Sequence, residues 1–261
     1  MSKADKISGL LVDLDGVLYV GGEVIPGAIE ALDKLREQRI PFRFVTNTTT
    51  RTAESLVRKL GRLGFSVAPE EIFSAVTATL GYLKSQSEEL PSVHAVVRDS
   101  VLPEFRDFPR DDESPDFVVV GDIGASWSYG LMNRIFRQLN AGARLLAMHR
   151  NRFFLSEDGL CVDIGCFVAG LEHVSGQEAI VIGKPNRAFF ETASNSLGCP
   201  LSEIAMIGDD LVSDVGAAQA LGMKGIQVRT GKFSEEQLEQ SGVTPDALVD
   251  SIAGLPEWLR S

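Results

Sequence analysis

Cysteine is scarce in this chain, with only Cys161, Cys166 and Cys199 among 261 residues. An odd, scattered set of thiols gives no disulfide framework and fits a reducing compartment. Cys161 and Cys166 also lack the spacing of a zinc site and read as buried small hydrophobes. Basic charge is short as well: Lys and Arg number 25 against 36 Asp and Glu, a formal net charge of −11. Nucleic-acid binders neutralise phosphates with a basic excess, so a nucleic-acid partner is not expected. Acidity does not exclude an anionic substrate, because a bound cation or one lysine inverts the field of a single pocket. No apolar run approaches the ~20 residues of a membrane span, and no membrane partner is expected. The stretch Met1 to Lys6 is polar, and Asp13 and Asp15 interrupt the apolar run after it, so no signal peptide is read there and the expected location is the cytoplasm. Repeats and low-complexity tracts are lacking too.

What is present is ordinary globular material: 44% apolar and 23% charged residues. A chain of this length buries ~70% or more of its unfolded surface and needs neither disulfide nor metal to fold. Short apolar runs alternate with segments of 3.6 period. Leu10-Leu11-Val12 reads as a buried strand, residues 28–38 as a helix with Ile29, Leu32 and Leu35 on one stripe, and Pro41 to Val45 as a second strand. Residues 52–63 form a helix carrying Leu56, Val57, Leu60 and Leu63. Strand, helix, strand, helix implies parallel strands joined by right-handed crossovers, hence an α/β fold with a Rossmann-like parallel sheet. A second α/β set follows, with strands at Val93–Val97, Phe117–Val120 and Arg144–Ala147 and a helix carrying Leu131, Ile135, Phe136 and Leu139. The first style resumes after Val181. A helix carries Phe189, Phe190, Ala193 and Leu197, strands run Ile204–Ile207 and Gly225–Val228 around a helix with Leu211, Val215 and Ala218, and a weaker strand at Ala247–Val249 precedes a closing helix. The economical arrangement is a core of residues 1–79 and 182–261 with residues 80–181 inserted as a second α/β domain.

Four polar clusters stand where apolar runs end, and in open α/β sheets ligands bind at the carboxyl ends of strands. Asp13-Leu14-Asp15-Gly16 follows the first strand. If the strand stays extended, its period of two puts both carboxylates on one side, where they repel unless a cation lies between them or one keeps its proton. A hard-oxygen Mg2+ site answers that need, and a polar strand exit into a Gly turn is the plainer alternative. Thr46-Asn47-Thr48-Thr49-Thr50 offers hydroxyls, an amide and backbone N–H groups to phosphoryl oxygens, or merely a helix cap at Thr50 or Thr52. In Gly183-Lys184-Pro185, Pro185 suits a first helical turn, and Lys184 is either a fixed cation or a solvated turn residue. Gly208-Asp209-Asp210-Leu211-Val212-Ser213-Asp214 crowds three carboxylates at a strand-to-helix junction. A helix dipole accounts for Asp210 and less well for all three.

Taken together, in this order and at these places, the clusters resemble the haloacid dehalogenase (HAD) superfamily of phosphotransferases. Asp13-Leu14-Asp15-Gly16-Val17-Leu18 is similar to the family's first motif, Thr46-Asn47 to the second, Lys184 to the third, and Gly208-Asp209-Asp210 with Asp214 to the fourth. The insertion sits where members with a large α/β, or C2-type, cap carry theirs. The resemblance implies a Mg2+-dependent phosphatase acting on small phosphorylated compounds. Asp13 is then the nucleophile that becomes an aspartyl-phosphate, and Asp15 the general acid and base. It further implies metal ligation by Asp13, the backbone carbonyl of Asp15, and Asp209, with Asp210 or Asp214 completing or orienting the shell. Thr46, Asn47 and Lys184 hold the phosphoryl oxygens. The cap is expected to select substrate, and relatives suggest a homodimer through the caps. The alternative is a signalling or interaction module that is phosphorylated on aspartate and does not turn over.

Overall fold

The computed structural model describes residues 7–156 and 159–260. In chain order its strands are β1 (Gly9–Asp13), β2 (Tyr19–Val20), β3 (Glu23–Val24), β4 (Phe42–Thr46), β5 (Ile72–Ser74), β6 (Val93–Val96) and β7 (Phe117–Val120). They continue with β8 (Arg144–Ala147), β9 (Phe153–Ser156), β10 (Gly159–Val162), β11 (Ile180–Val181), β12 (Ile204–Gly208), β13 (Lys224–Val228) and β14 (Ala247–Val249). The chain folds as two compact units. One combines the chain up to Thr46, Ala53–Phe73 and the chain from Lys184 onward, and the other combines Asn47–Thr52 with Ser74–Gly183.

The first unit is an α/β fold on a six-stranded sheet ordered β14-β13-β12-β1-β4-β5. β1 pairs in parallel with β12 on one side, Val12 opposite Ile207, and with β4 on the other, Asp13 opposite Val45. Every residue of β1 and of β12 is buried. Such strands read as unbroken apolar runs because both sheet faces are covered. The chain leaves β1 toward β4 and returns later to β12 on its other flank. β1 therefore lies at the switch of strand order, where open α/β sheets form their ligand crevice. Helix Ala28–Glu37 buries Ala28, Ala31, Leu32 and Leu35, the i, i+3, i+4, i+7 face, and leaves Ile29 only partly covered. Helix Ala53–Arg62 buries Leu56 and Leu60. These side chains pack with Leu10, Val12, Phe44, Ile207 and Val228 in one apolar cluster.

The second unit has its own parallel sheet, β11-β8-β7-β6, and a core that includes Val118, Val120, Ile135, Leu139 and Leu145. Helix Tyr129–Asn140 is capped by the Ser128 hydroxyl, which accepts from the Leu131 N–H at 3.2 Å. β9 and β10 form an antiparallel hairpin. The burial expected of Cys161 and Cys166 is corrected: Cys161 is half-buried on the hairpin and Cys166 is exposed in the first turn of helix Gly165–Ser175. All three cysteines are free thiols. Among the described residues no helix is long and apolar enough to cross a membrane.

Candidate active site

β1 ends at Asp13, whose side chain is buried. The extension assumed for Asp13-Leu14-Asp15 stops there, because the Val17 and Leu18 N–H groups both turn back to the Leu14 carbonyl. The period of two is lost, and the two carboxylates go different ways. Asp13 stays inside, while the Asp15 side chain is 59% exposed, with Oδ1 3.8 Å from Lys59 Nζ. Thr46 closes β4, the neighbouring strand, and is also buried. Asn47 begins the segment that packs with the second unit, where its Nδ2 lies 3.5 Å from Asn151 Oδ1.

Lys184 sits between two carboxylates. Its Nζ donates to Asp13 Oδ1 at 2.7 Å and stands 2.6 Å from Asp214 Oδ1, with all three residues buried. Pro185 lies ahead of the helix rather than in its first turn, because Asn186 is the N-cap of Arg187–Leu197 and accepts from the Ala188 N–H.

Beyond β12 the chain passes Asp209 and enters a π-helical turn, Leu211–Gly216. Asp210 caps it, its Oδ1 accepting from the N–H groups of Val212 at 3.2 Å and Ser213 at 3.0 Å. Lys232 Nζ donates to the other Asp210 oxygen at 3.1 Å. The wider turn carries Asp214 inward, and one oxygen from each of Asp13, Asp209 and Asp214 lies within 4.8 Å of the others. Of the acidic residues singled out in the sequence, these three come together, while Asp15 and Asp210 point elsewhere.

Two glycines make room for Asp209. A Cβ on Gly16, at φ +83°, or on Gly231, at φ +65°, would overlap its carboxylate. Both positions also lie in the left-handed region where a side chain is strained. The Lys232 N–H donates to Asp209 Oδ2 at 2.9 Å, and the buried Gln227 amide donates to the Asp209 carbonyl at 2.8 Å. Gly231 and Lys232 lie in a stretch, Val228 to Phe233, that supports the family resemblance, but the sequence assigns neither of them a role in the site, and it does not single out Gln227. A glutamine inside the apolar run Gly225–Val228 was the one available sign, since a buried amide needs partners.

Burial raises the Asp13 pKa well above the ordinary 3.8, and the charges of Asp214 and Asp209 add to the rise against the pull of Lys184. Burial likewise raises Asp214, and it pushes Asp209 up to about 7, with Asp214 adding to the effect and Lys232 opposing it. Burial alone would lower the Lys184 ammonium, but the Asp13 and Asp214 carboxylates outweigh it and keep the lysine charged. Lys232 and the capping N–H of Ser213 hold Asp210 below its ordinary value despite burial. Three buried carboxyl groups thus crowd one buried ammonium, and ionising all of them leaves an excess of negative charge on a set of oxygen donors only. That donor set fits a hard divalent cation.

A family model described as haloacid dehalogenase-like hydrolase matches residues 10–108, and a second, HAD-hydrolase-like, matches residues 181–255. The chain is 40% identical over 252 residues to haloacid dehalogenase-like hydrolase domain-containing protein 2 of Bos taurus, covering 97% of this chain and 95% of the relative. The chain belongs to the haloacid dehalogenase-like hydrolases. This HAD-like hydrolase is also 37% identical over 253 residues to the phospholysine phosphohistidine inorganic pyrophosphate phosphatase of Danio rerio, covering 95% of this chain and 92% of that one. Among solved structures it is similar to a 4-nitrophenylphosphatase of Thermotoga maritima, with a TM-score of 0.92 at 27% identity over 98% of this chain and 99% of that one.

Proposed function

We propose that this HAD-type phosphoric monoester hydrolase works by double displacement on Asp13, with Mg2+ as its cofactor. The observation that carries the reading is the buried ion pair of Lys184 with Asp13 and Asp214 at the end of β1, with Asp209 alongside. Lys184 occupies one Asp13 oxygen by hydrogen bond, which fixes the carboxylate and leaves the other oxygen as the nucleophile. That oxygen forms a bond to phosphorus as the bond from phosphorus to the ester oxygen breaks. Asp15 protonates the departing oxygen, then takes a proton from the water that attacks the aspartyl-phosphate; release of inorganic phosphate restores both residues. Thr46, Asn47 and Lys184 are assigned to the phosphoryl oxygens as hydrogen-bond donors.

Asp13 and Asp209 would hold the cation together with the Asp15 carbonyl. Asp214, which joins the cluster, is preferred over Asp210, which is engaged by its cap and by Lys232, as the residue that completes or orients the shell. When bound, Mg2+ supplies positive charge that lets an anionic nucleophile meet an anionic phosphate. Substrate selection is assigned to residues 80–181, and the substrates to small phosphorylated metabolites, with pyrophosphate and phosphoamidates tested first because of the Danio rerio relative. The same reading includes a homodimer through this second unit: Leu160 and Val162, 73% and 69% exposed on β10, give its hairpin an apolar face, and size-exclusion chromatography tests it.

The test is steady-state phosphate release from p-nitrophenyl phosphate with Mg2+. The wild type should turn over many times, Asp13→Asn should be near zero, and excess EDTA should abolish the activity. Wild-type rates in Asp13→Asn would overturn the role of Asp13, and a single burst without turnover would point to a phosphorylated signalling module instead.

A further inference from the structure

Lys59 belongs to none of the motifs above. It lies on helix Ala53–Arg62, one position before the buried Leu60, where a lysine ordinarily extends into solvent. Here it turns back. Its Nζ stands 3.7 Å from the centroid of the Tyr19 ring and 3.8 Å from Asp15 Oδ1, and its side chain is 24% exposed. Tyr19 is fully buried at the start of the hairpin formed by β2 and β3, and its carbonyl accepts from the Gly16 N–H at 2.8 Å. The aromatic ring that seats the ammonium is therefore tied by backbone to the turn that carries Asp15.

We propose that Lys59 is a positioning residue that holds the Asp15 carboxylate apart from the buried cluster. This rests on the assignment of Asp15 as general acid. A half-exposed carboxylate on a turn rotates freely and is drawn toward any cation held by Asp13 and Asp209, two residues and one strand away. An Asp15 that joined that shell would no longer face a leaving group. A long exposed ion pair by itself fixes little, but an ammonium seated on an aromatic face has few alternative positions. Lys59 thus keeps cation binding on Asp13, Asp209 and Asp214 separate from proton transfer on Asp15. Its assigned action is through Asp15, the carboxylate it stands beside.

The experiment compares kcat/KM, which reports the step in which the leaving group departs, for p-nitrophenyl phosphate and for glycerol 2-phosphate. An alkoxide needs protonation to leave and nitrophenolate does not. Lys59→Met should therefore lower kcat/KM for glycerol 2-phosphate by roughly tenfold or more, within the range a general acid supplies, and change p-nitrophenyl phosphate about threefold or less. Lys59→Arg should restore most of the loss. In an Asp15→Asn background, Lys59→Met should add nothing. Equal losses on both substrates, a further drop in the Asp15→Asn background, or unchanged kinetics in Lys59→Met would each overturn the proposal. If Asp15→Asn itself keeps wild-type kcat/KM on glycerol 2-phosphate, the fault lies in the assignment of Asp15 and not in Lys59 alone.

Discussion

Replacing single members of the buried cluster separates their roles. Asp13→Asn removes the atom that bonds phosphorus, so activity should vanish while Lys184 keeps a hydrogen-bonding neighbour. Asp15→Asn should lose ~10²–10⁴-fold in kcat on an alkyl phosphate and retain measurable turnover, since it removes proton transfer only. Lys184→Met is the structural test. It strips two buried carboxylates of their ammonium, and breaking a buried pair in this way costs about 3–5 kcal/mol, read as a lower midpoint in urea. Asp209 gives a pH signature. Its pKa is about 7 in the folded protein against an ordinary 3.8, so between those values the native state binds the extra proton. Its contribution to stability is fully present below pH ~4 and is lost as pH rises through about 7. In metal-free protein, Asp209→Asn should match the wild type in thermal midpoint near pH 4 and exceed it above pH 7. A midpoint difference that stays flat from pH 4 to 8 would refute the assignment of that shift to Asp209.

At the scale of elements, the turns around Asp209 are as tightly specified as the carboxylates. Gly16→Ala and Gly231→Ala each press a methyl group into the Asp209 carboxylate at positive φ. Each should weaken Mg2+ activation more than it lowers the thermal midpoint, measured as the metal concentration for half-maximal rate. The strands that deliver the site were legible because both sheet faces are covered: Leu10-Leu11-Val12, Phe117–Val120 and Ile204–Ile207 read as unbroken apolar runs. Helices with one apolar stripe were legible for the complementary reason. Helix Ala75–Lys84 was missed because Ala-Val-Thr-Ala-Thr-Leu has three β-branched residues in six and no charged residue to mark a solvent face, and five of the helix residues are buried. Helix Glu235–Ser241 buries nothing and so carries no stripe to read. The β2–β3 hairpin, with two residues in each strand, falls below the length at which alternation registers. The site shows the same division. Asp13, Asp209 and Asp214 stood out by crowding at strand ends, whereas Lys59 on an amphipathic helix looks like any solvated lysine, and its return to Tyr19 depends on a hairpin that left no trace in the pattern.

For the whole molecule, the two units carry separate sheets and separate cores, while the three clustered carboxylates lie in the first unit alone. A chain of net charge −11 that buries three of its carboxylates around one ammonium should gain stability from a divalent cation, and the gain should be local to that unit. The two tryptophans separate the responses. Trp127 stacks on Phe167 in the second unit, with ring centroids 4.3 Å apart, and Trp258 packs against the core of the first. Trp127→Phe leaves a reporter in the metal-binding unit, and Trp258→Phe leaves one in the other. A ligand at 100 times its dissociation constant stabilises by ~2.7 kcal/mol, which for a unit of this size corresponds to roughly 5–15 °C. Mg2+ should therefore raise the Trp258-reported midpoint by about that amount at pH 8. The rise should be smaller at pH 5, because protons on Asp13 and Asp209 compete with the cation for the same oxygens. Ca2+ should also raise the midpoint, since the oxygen set admits it, so this measurement reports cation binding and the turnover assay with each metal reports its use. A Trp258-reported transition that Mg2+ leaves in place at pH 8 would mean that Asp13, Asp209 and Asp214 are held together by Lys184 without binding a cation, and the double displacement on Asp13 would need another source of positive charge.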